Sequence, residues 1–355
     1  MGTCSPMQMP HPRGPLSAAL LRALDGAPHE LPDGLAAMGT AAGDPLADED
    51  LQLTLHVCYE LHYQGFDGVD EGWEWHPSLL ALRQAAERRF EAALRRLVPL
   101  PAPVPPGELP RALVALVEAD DGPQLSKYLA GRATADQFRE FVMHRSIYHL
   151  READPHTWAV PRLAGRAKAA LIEIQADEYG GGRAERMHAE LFRITMRALG
   201  LDSAYGAYLD AVPAVTLATN NLMSLFGLHR RLLGAVLGHL AVFEMTSSLP
   251  NRRYGNGLRR LGGNADATRF YDEHVEADAV HEQIAVHDLC GAFCAGLPSQ
   301  RRAEQTSLVL FGAACALALD GRFAGHLLRR WAAGGSSLRD QPRSSGRLVV
   351  GALGA

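Results

Sequence analysis

A chain of 355 residues that is 47% hydrophobic can bury a sizeable core, and it is longer than one typical domain. Its 35 Lys and Arg against 40 Asp and Glu are scattered singly or in pairs, which argues against nucleic acid as a partner. Five cysteines, Cys4, Cys58, Cys290, Cys294 and Cys315, are an odd number with no CxxC pair, so neither a disulfide framework nor a Cys-rich zinc site is expected.

Residues 1–35 are rich in Pro, Gly and Ala without a sustained period and read as a loose tail. They lack a basic region followed by a long apolar core, so no secretory signal is expected and a cytoplasmic protein follows. Residues 36–110 read as an N-terminal helical extension. Its helices, Leu51 to Leu61 and Pro77 to Leu97, are separated by a Gly- and Trp-containing turn, and the Pro-dense stretch Pro99 to Pro110 marks a seam.

From 111 to 332 apolar residues recur at three- and four-residue intervals, which predicts an all-α main domain. Thr134 with Gln137 reads as a capping box opening a helix that runs to about Glu152, before Pro155. Further helices are expected over Arg162 to Asp177, Ala184 to Leu199, Ala204 to Phe226, Leu228 to Ser247, Ala265 to Ala295 and Ser299 to Leu319, punctuated by Gly200, Pro250 and Pro298. The apolar run Leu232 to Phe243 is interrupted by His239 and closed by Glu244, and Leu308 to Leu319 is too short to cross a bilayer, so no membrane partner is expected. Residues 333–355 read as a second loose tail.

His274, Asp278 and His281 are offset by four and then three residues, which stacks two imidazoles and a carboxylate on one helix face. On an exposed helix the same stripe is three solvated polar residues. Glu178 and His188 flank Gly180, Gly181 and Gly182. An unbroken helix would turn these two side chains about 80° apart, so they share a metal only if the glycines interrupt it. The alternative is a helix-to-helix turn with a surface Glu, and Glu185, three residues before His188, competes locally. Glu244 lies in an apolar segment, where a carboxylate needs a cation or a partner such as Arg252 or Arg253. Glu152, near a helix end, taken alone reads as exposed. Mixed carboxylate and imidazole ligation without thiolate suits iron or manganese in a helical bundle.

The segment Glu173-Ile-Gln-Ala-Asp-Glu-Tyr-Gly-Gly-Gly-Arg183, then Met187-His188 and the later HxxxDxxH, resembles the haem-oxygenase-like di-metal oxidases, the iron-containing redox enzymes. The resemblance implies a haem-oxygenase-like helical bundle holding two ferrous ions on Glu178, His188, Glu244, His274, Asp278 and His281, the second site being labile. A nitrogen-oxidising subgroup carries one further carboxylate ahead of the first Glu, and Glu152 occupies that place. The stretch Cys58 to Phe66 with Trp73-Glu-Trp75 is similar to the extension that longer members use in dimer formation, which implies a homodimer.

The implied activity is a dioxygen-dependent oxidation, N-oxygenation of an amino acid or an amine derived from one, with an external electron donor. Other members use the same ligands for desaturation or for oxidative carbon–carbon cleavage of amino or fatty acids. A haem-binding protein on the same fold, and a non-catalytic helical module, are the readings from other classes. Arg145, Arg151, Arg183 and Arg186 are candidate anchors for a substrate carboxylate, and Tyr179, Asn220 and Asn221 are candidate pocket residues.

Overall fold

The computed structural model describes residues 6–32, 34–35 and 43–340, apart from the side chains of 276–280. In chain order its helices are α1 (Pro15–Leu24), α2 (Glu49–Glu60), α3 (Pro77–Leu97), α4 (Leu109–Glu118), α5 (Leu125–Gly131), α6 (Ala135–His149), α7 (Asp154–Thr157), α8 (Gly165–Glu178), α9 (His188–Ala198), α10 (Ala214–Leu228), α11 (Leu233–Arg260), α12 (Ala265–Gln283), α13 (Ala292–Ala295) and α14 (Ser299–Ala332). A π-helical stretch, Ile284–Gly291, joins α12 to α13. No β-strand occurs among the described residues, so the fold is all-α, as the periodicity predicts.

The long helices α11 and α14 cross at the centre. A Cβ on Gly238 would fall 1.9 Å from the Val309 carbonyl oxygen, and one on Gly312 would fall 2.0 Å from that of Ala235. Only glycine lets the two backbones approach this closely. The segments Arg230–Arg260 and Ser299–Ala332 are long and apolar enough to cross a bilayer by composition alone, but 67% of each apolar window is buried inside the molecule, as in core helices.

Several boundaries differ from expectation. The tail 1–35 contains α1, whose Leu16, Leu20 and Leu24 recur every four residues and are buried in one cluster with Leu53, Val57 and Trp73. The Asp50 carboxylate accepts from the backbone N–H groups of Leu16 and Ser17, satisfying donors at the start of that helix. The Pro-dense stretch is not a break in packing either. Phe90 and Leu94 of α3 and Leu109 and Leu113 of α4 share a core cluster with Leu171, Leu240 and Phe311.

The helix expected from Ala204 begins only at Ala214, because Pro213 fixes the start and residues 204–212 form turns. Conversely, α11 runs through Pro250. The proline removes one intrahelical donor, but the second half is held by burial of Gly257 and Leu258, with Gly257 against the Leu129 carbonyl. Helix α14 continues past Leu319 because Phe323, Ala324, Leu327 and Trp331 keep its buried stripe going. In the expected loose tail 333–355, Ser337 is buried and donates from its N and Oγ to Glu140 Oε2 at 2.8 and 2.6 Å. Residues 341–355 lie outside the described residues.

Candidate metal centre

Five elements converge on one buried pocket. The predicted capping box is present, with Thr134 Oγ1 accepting from Gln137 N at 3.2 Å and Gln137 Oε1 accepting from Thr134 N at 3.0 Å, and it fixes the start of α6. Three residues beyond the end of α6, Glu152 precedes Ala153, whose φ of 73° is a left-handed conformation that a side chain resists. Gln175 donates to the Ala153 carbonyl at 3.1 Å and braces the turn. The chain then folds into α7 and brings His156 to the pocket wall.

Glu178 ends α8 and His188 begins α9. Gly180, Gly181 and Gly182 all have positive φ, so the helix is broken where the sequence suggested. At Gly180 the requirement is absolute in a second sense, because a Cβ would lie 2.6 Å from Arg186 C and from Met187 N. The tight reversal sets His188 Nδ1 2.9 Å from Glu178 Oε2. Glu244 comes from the middle of α11, and His274 and His281 from one face of α12.

One ligand atom from each of Glu152, Glu178, His188 and His274 lies within 4.8 Å of every other, and the same holds for Glu178, Glu244 and His281. Glu178 belongs to both groups. The side chain of Asp278, also expected here, lies outside the described residues. Glu185 is in neither group, since a 3-10 turn at Ala184–Arg186 separates it from α9.

Hydrogen bonds outside the groups fix which atoms face inward. His274 Nδ1 lies 2.8 Å from the Phe270 carbonyl, which makes it the donor and leaves Nε2 for the pocket. His281 Nε2 is 2.9 Å from Asp177 Oδ2, and its Nδ1 is 3.5 Å from Glu244 Oε2. His149 Nδ1 is 2.7 Å from Glu152 Oε1. Glu152 Oε2 is then buried with no hydrogen-bond partner, and Glu178 Oε2, His188 Nδ1 and His281 Nδ1 are buried beside one another or beside Glu244 without a hydrogen bond of good geometry. Buried acceptors of this kind are costly unless a cation satisfies them.

The electrostatics point the same way. Burial opposes charge on His188, yet Glu178 holds its pKa above the ordinary value. His281, against the same burial, is pushed up to about 9 by Glu244, Asp177 and Glu178. Burial also opposes ionisation of Glu152, but His149 and then His274 hold its carboxyl well below the usual range. A field that draws protons onto imidazoles in this way favours a divalent cation, and the oxygen and nitrogen donor set fits iron.

Sequence reading missed Asp177, His149 and His156. Asp177 and His281 are 104 positions apart, a pairing no local pattern carries. His149 could have been found from its place one turn before Glu152. Of the expected substrate anchors, Arg151 is buried under the site, pairs with Glu60 at 3.0 Å and lies 4.5 Å over the Tyr63 ring, so it faces away from any ligand. Arg186 pairs with Glu273 at 3.7 Å on the surface. Tyr179 donates to Asp154 at 2.8 Å, and Asn221 donates to Gln52.

The pocket at these candidate ligands, about 390 Å³ counting its open mouth, is also lined by Tyr148, His156, Leu240, Phe243 and Ser247. A second pocket, about 440 Å³ counting its open mouth, abuts it. Tyr148 and Phe243 line both, and His239 of the second pocket lies 3.2 Å from His156 of the first.

Two comparisons bear on this centre. The family model of iron-containing redox enzymes matches residues 139–321, just over half of the chain and inclusive of all the candidate ligands. A nitrosourea synthase of Streptomyces achromogenes subsp. streptozoticus is 30% identical over 138 residues, which is 38% of this chain but only 29% of that protein.

Proposed function

Because the chain belongs to the iron-containing redox enzymes, we propose that this oxidoreductase is a non-haem di-iron oxygenase that N-oxygenates an amine, an amino acid or a close derivative of one. The observation that carries the reading is the pair of buried donor groups sharing Glu178. A single carboxylate common to two clusters is what a bridged metal pair needs. Glu152, Glu178, His188 and His274 would hold the first ion, and Glu178, Glu244 and His281, with Asp278 from the same helix, the second.

When bound, ferrous iron supplies the electrons for reducing dioxygen. The protein's own part is orientation and exclusion of water. Phe270 and Asp177 fix the imidazole tautomers of His274 and His281, His149 occupies one oxygen of Glu152 and leaves the other for metal, and Tyr148, Leu240 and Phe243 wall the pocket. The second position lies closer to solvent, because Asp177 is 61% exposed, and that supports a labile second ion. The choice of nitrogen as the oxidised atom is supported by Glu152 as an additional carboxylate and by the relative named for a nitrosourea, a compound whose nitroso nitrogen is oxidised.

Anaerobic ferrous titration tests the metal centre. The full chain should take up two ions, His281→Ala one, and Glu178→Ala fewer than one. Equal uptake by all three, or a Soret band in the purified protein, would overturn the reading. The reaction is tested by exposing the loaded protein to oxygen with amino acids and locating the added oxygen by mass spectrometry. Loss of two hydrogens or a cleaved carbon skeleton would replace N-oxygenation.

A further inference from the structure

Beside the turn that carries Glu152, two charged side chains are shut away from water. Arg151 NH1 lies 3.0 Å from Glu60 Oε2, with 1% and 0% of the two side chains exposed. Glu60 is the last residue of α2, so this contact ties the N-terminal extension to the main domain across 91 positions of sequence. The carboxylate is gripped from elsewhere too. Tyr205 Oη donates to its two oxygens at 2.9 Å each, and the backbone N–H of Gln64 donates to Oε1 at 3.3 Å. The guanidinium lies 4.5 Å over the Tyr63 ring, whose hydroxyl is 3.1 Å from Ser224 Oγ on α10. Its Nε and NH2 are buried without a hydrogen-bond partner, so the bond to Glu60 is the one that anchors it.

Such a pair is a poor device for stability. Burial pushes the Glu60 carboxyl up to about 7 in spite of the guanidinium and the Tyr205 hydroxyl. Apolar side chains of similar volume in place of a buried ion pair are often neutral or stabilising. What the pair fixes is a position. Arg151 immediately precedes Glu152, and its backbone N–H donates to the Tyr148 carbonyl at 2.8 Å while its carbonyl accepts from Asp154 N at 3.2 Å. Beyond Glu152 comes Ala153 at φ 73°. A side-chain-bearing residue stays in that conformation only when its surroundings over-determine it. Gln175 holds one side of the turn, donating to the Ala153 carbonyl at 3.1 Å and to Thr157 Oγ1 at 2.9 Å, and Tyr179, next to Glu178, holds Asp154 at 2.8 Å. Glu60 holds the other side through Arg151.

We propose that Glu60 is a positioning residue of the metal centre. By anchoring Arg151 it fixes the turn on which Glu152 enters the pocket, so the extension, which contributes none of the candidate ligands, helps to set the hold on the first ion. The role rests on the proposed reading of Glu152 as a ligand of that ion. Without the anchor the strained turn relaxes and carries the Glu152 carboxylate away from Glu178, His188 and His274. Loss of packing elsewhere in the extension has no such effect.

The test compares three variants of the full chain with wild type, under anaerobic conditions. Glu60→Leu/Arg151→Met removes both charges and keeps most of the volume. Glu60→Gln removes one charge but keeps an oxygen for Arg151. Leu20→Ala truncates a fully buried side chain of α1, which lowers stability without touching the pair. Affinity for the more tightly held ferrous ion is read by chelator competition, the coordination of its site by the visible bands of protein loaded with one equivalent of Co2+, and stability by thermal melting. The pair variant should bind the first ion about 10–100-fold more weakly and shift the cobalt bands, with Glu60→Gln between it and wild type. Leu20→Ala should melt earlier than wild type yet match it in affinity and bands. Glu60→Gln keeps the test open if the pair variant does not fold.

Wild-type affinity and bands in both Glu60 variants, or a loss of affinity in Leu20→Ala as large as theirs, would overturn the proposal. Glu152→Ala separates the proposal from its premise. Weakened binding in Glu152→Ala with none in the pair variant overturns the positioning role alone. A Glu152→Ala protein that binds the first ion like wild type sinks the reading of Glu152 as a ligand and the positioning role with it.

Discussion

Replacing Gly180 with alanine probes the turn that brings Glu178 to His188. Two separate costs apply. At φ +67° an L-residue is strained by about 1–2 kcal/mol. The new Cβ would also meet backbone atoms of Arg186 and Met187 at 2.6 Å, and no side-chain rotation relieves a clash with backbone. Forced overpacking of this kind costs about 1–3 kcal/mol. Gly181→Ala is the internal control. Its φ of +61° imposes the first cost, but its Cβ would have nothing within 4 Å. Urea unfolding of the metal-free proteins should therefore place Gly180→Ala about 1–3 kcal/mol below Gly181→Ala. Because Met187 directly precedes His188, relief of the clash moves that imidazole, so chelator competition should show weaker iron binding in Gly180→Ala alone. If the two variants agree within about 0.5 kcal/mol and bind iron equally, the turn does not position the ligand as argued.

Asp177→Asn should keep the fold, since the carboxylate is 61% exposed, but it weakens the hold on the His281 tautomer. The expected loss is about 10–100-fold in affinity for the more weakly held ion, read by competition with a calibrated chelator; an unchanged affinity would show that His281 is oriented by other contacts. The second prediction concerns acid. Burial pushes the pKa of His144 down to about 3 and that of His156 to about 4, so both fold as neutral imidazoles. The unfolded chain takes up these protons near pH 6.5, so the stability is present above that pH and is lost as pH falls toward the folded values. His144→Gln, which can still bond to Thr216 and Ser337, should make stability less dependent on pH between 6.5 and 4, by on the order of 3 kcal/mol across the interval. Parallel melting profiles for wild type and variant would refute it.

The parts of the site that were legible in the sequence are those written by local spacing. The HxxxxxxH offset of His274 and His281 and the three glycines after Glu178 state a helix face and a helix break outright, and both are present. Glu152 could be placed only through resemblance, because its burial depends on the left-handed turn at Ala153, which no residue preference announces. What stayed hidden was made by tertiary contact: Asp177 reaching His281, Asp50 capping α1 from another helix, and burial carrying α11 through Pro250. The second pocket was hidden for the same reason, since Arg145, Asn220 and Asp320 come from three helices and meet only when α14 packs.

The turn at Gly180 also bears on how the centre is assembled. Glu178 and His188 are 10 residues apart, whereas Glu152 and His274 are 122 apart. Closing the longer loop costs about 2 kcal/mol more in chain entropy. The carboxylate and imidazole joined by the glycine loop therefore meet at a lower entropic cost than the distant pair, and during synthesis they emerge together well before His274 and His281. If the proposed centre holds iron, a ferrous ion met at that stage would have a two-ligand foothold, and the closing of α12 over it would be a folding step coupled to metal binding.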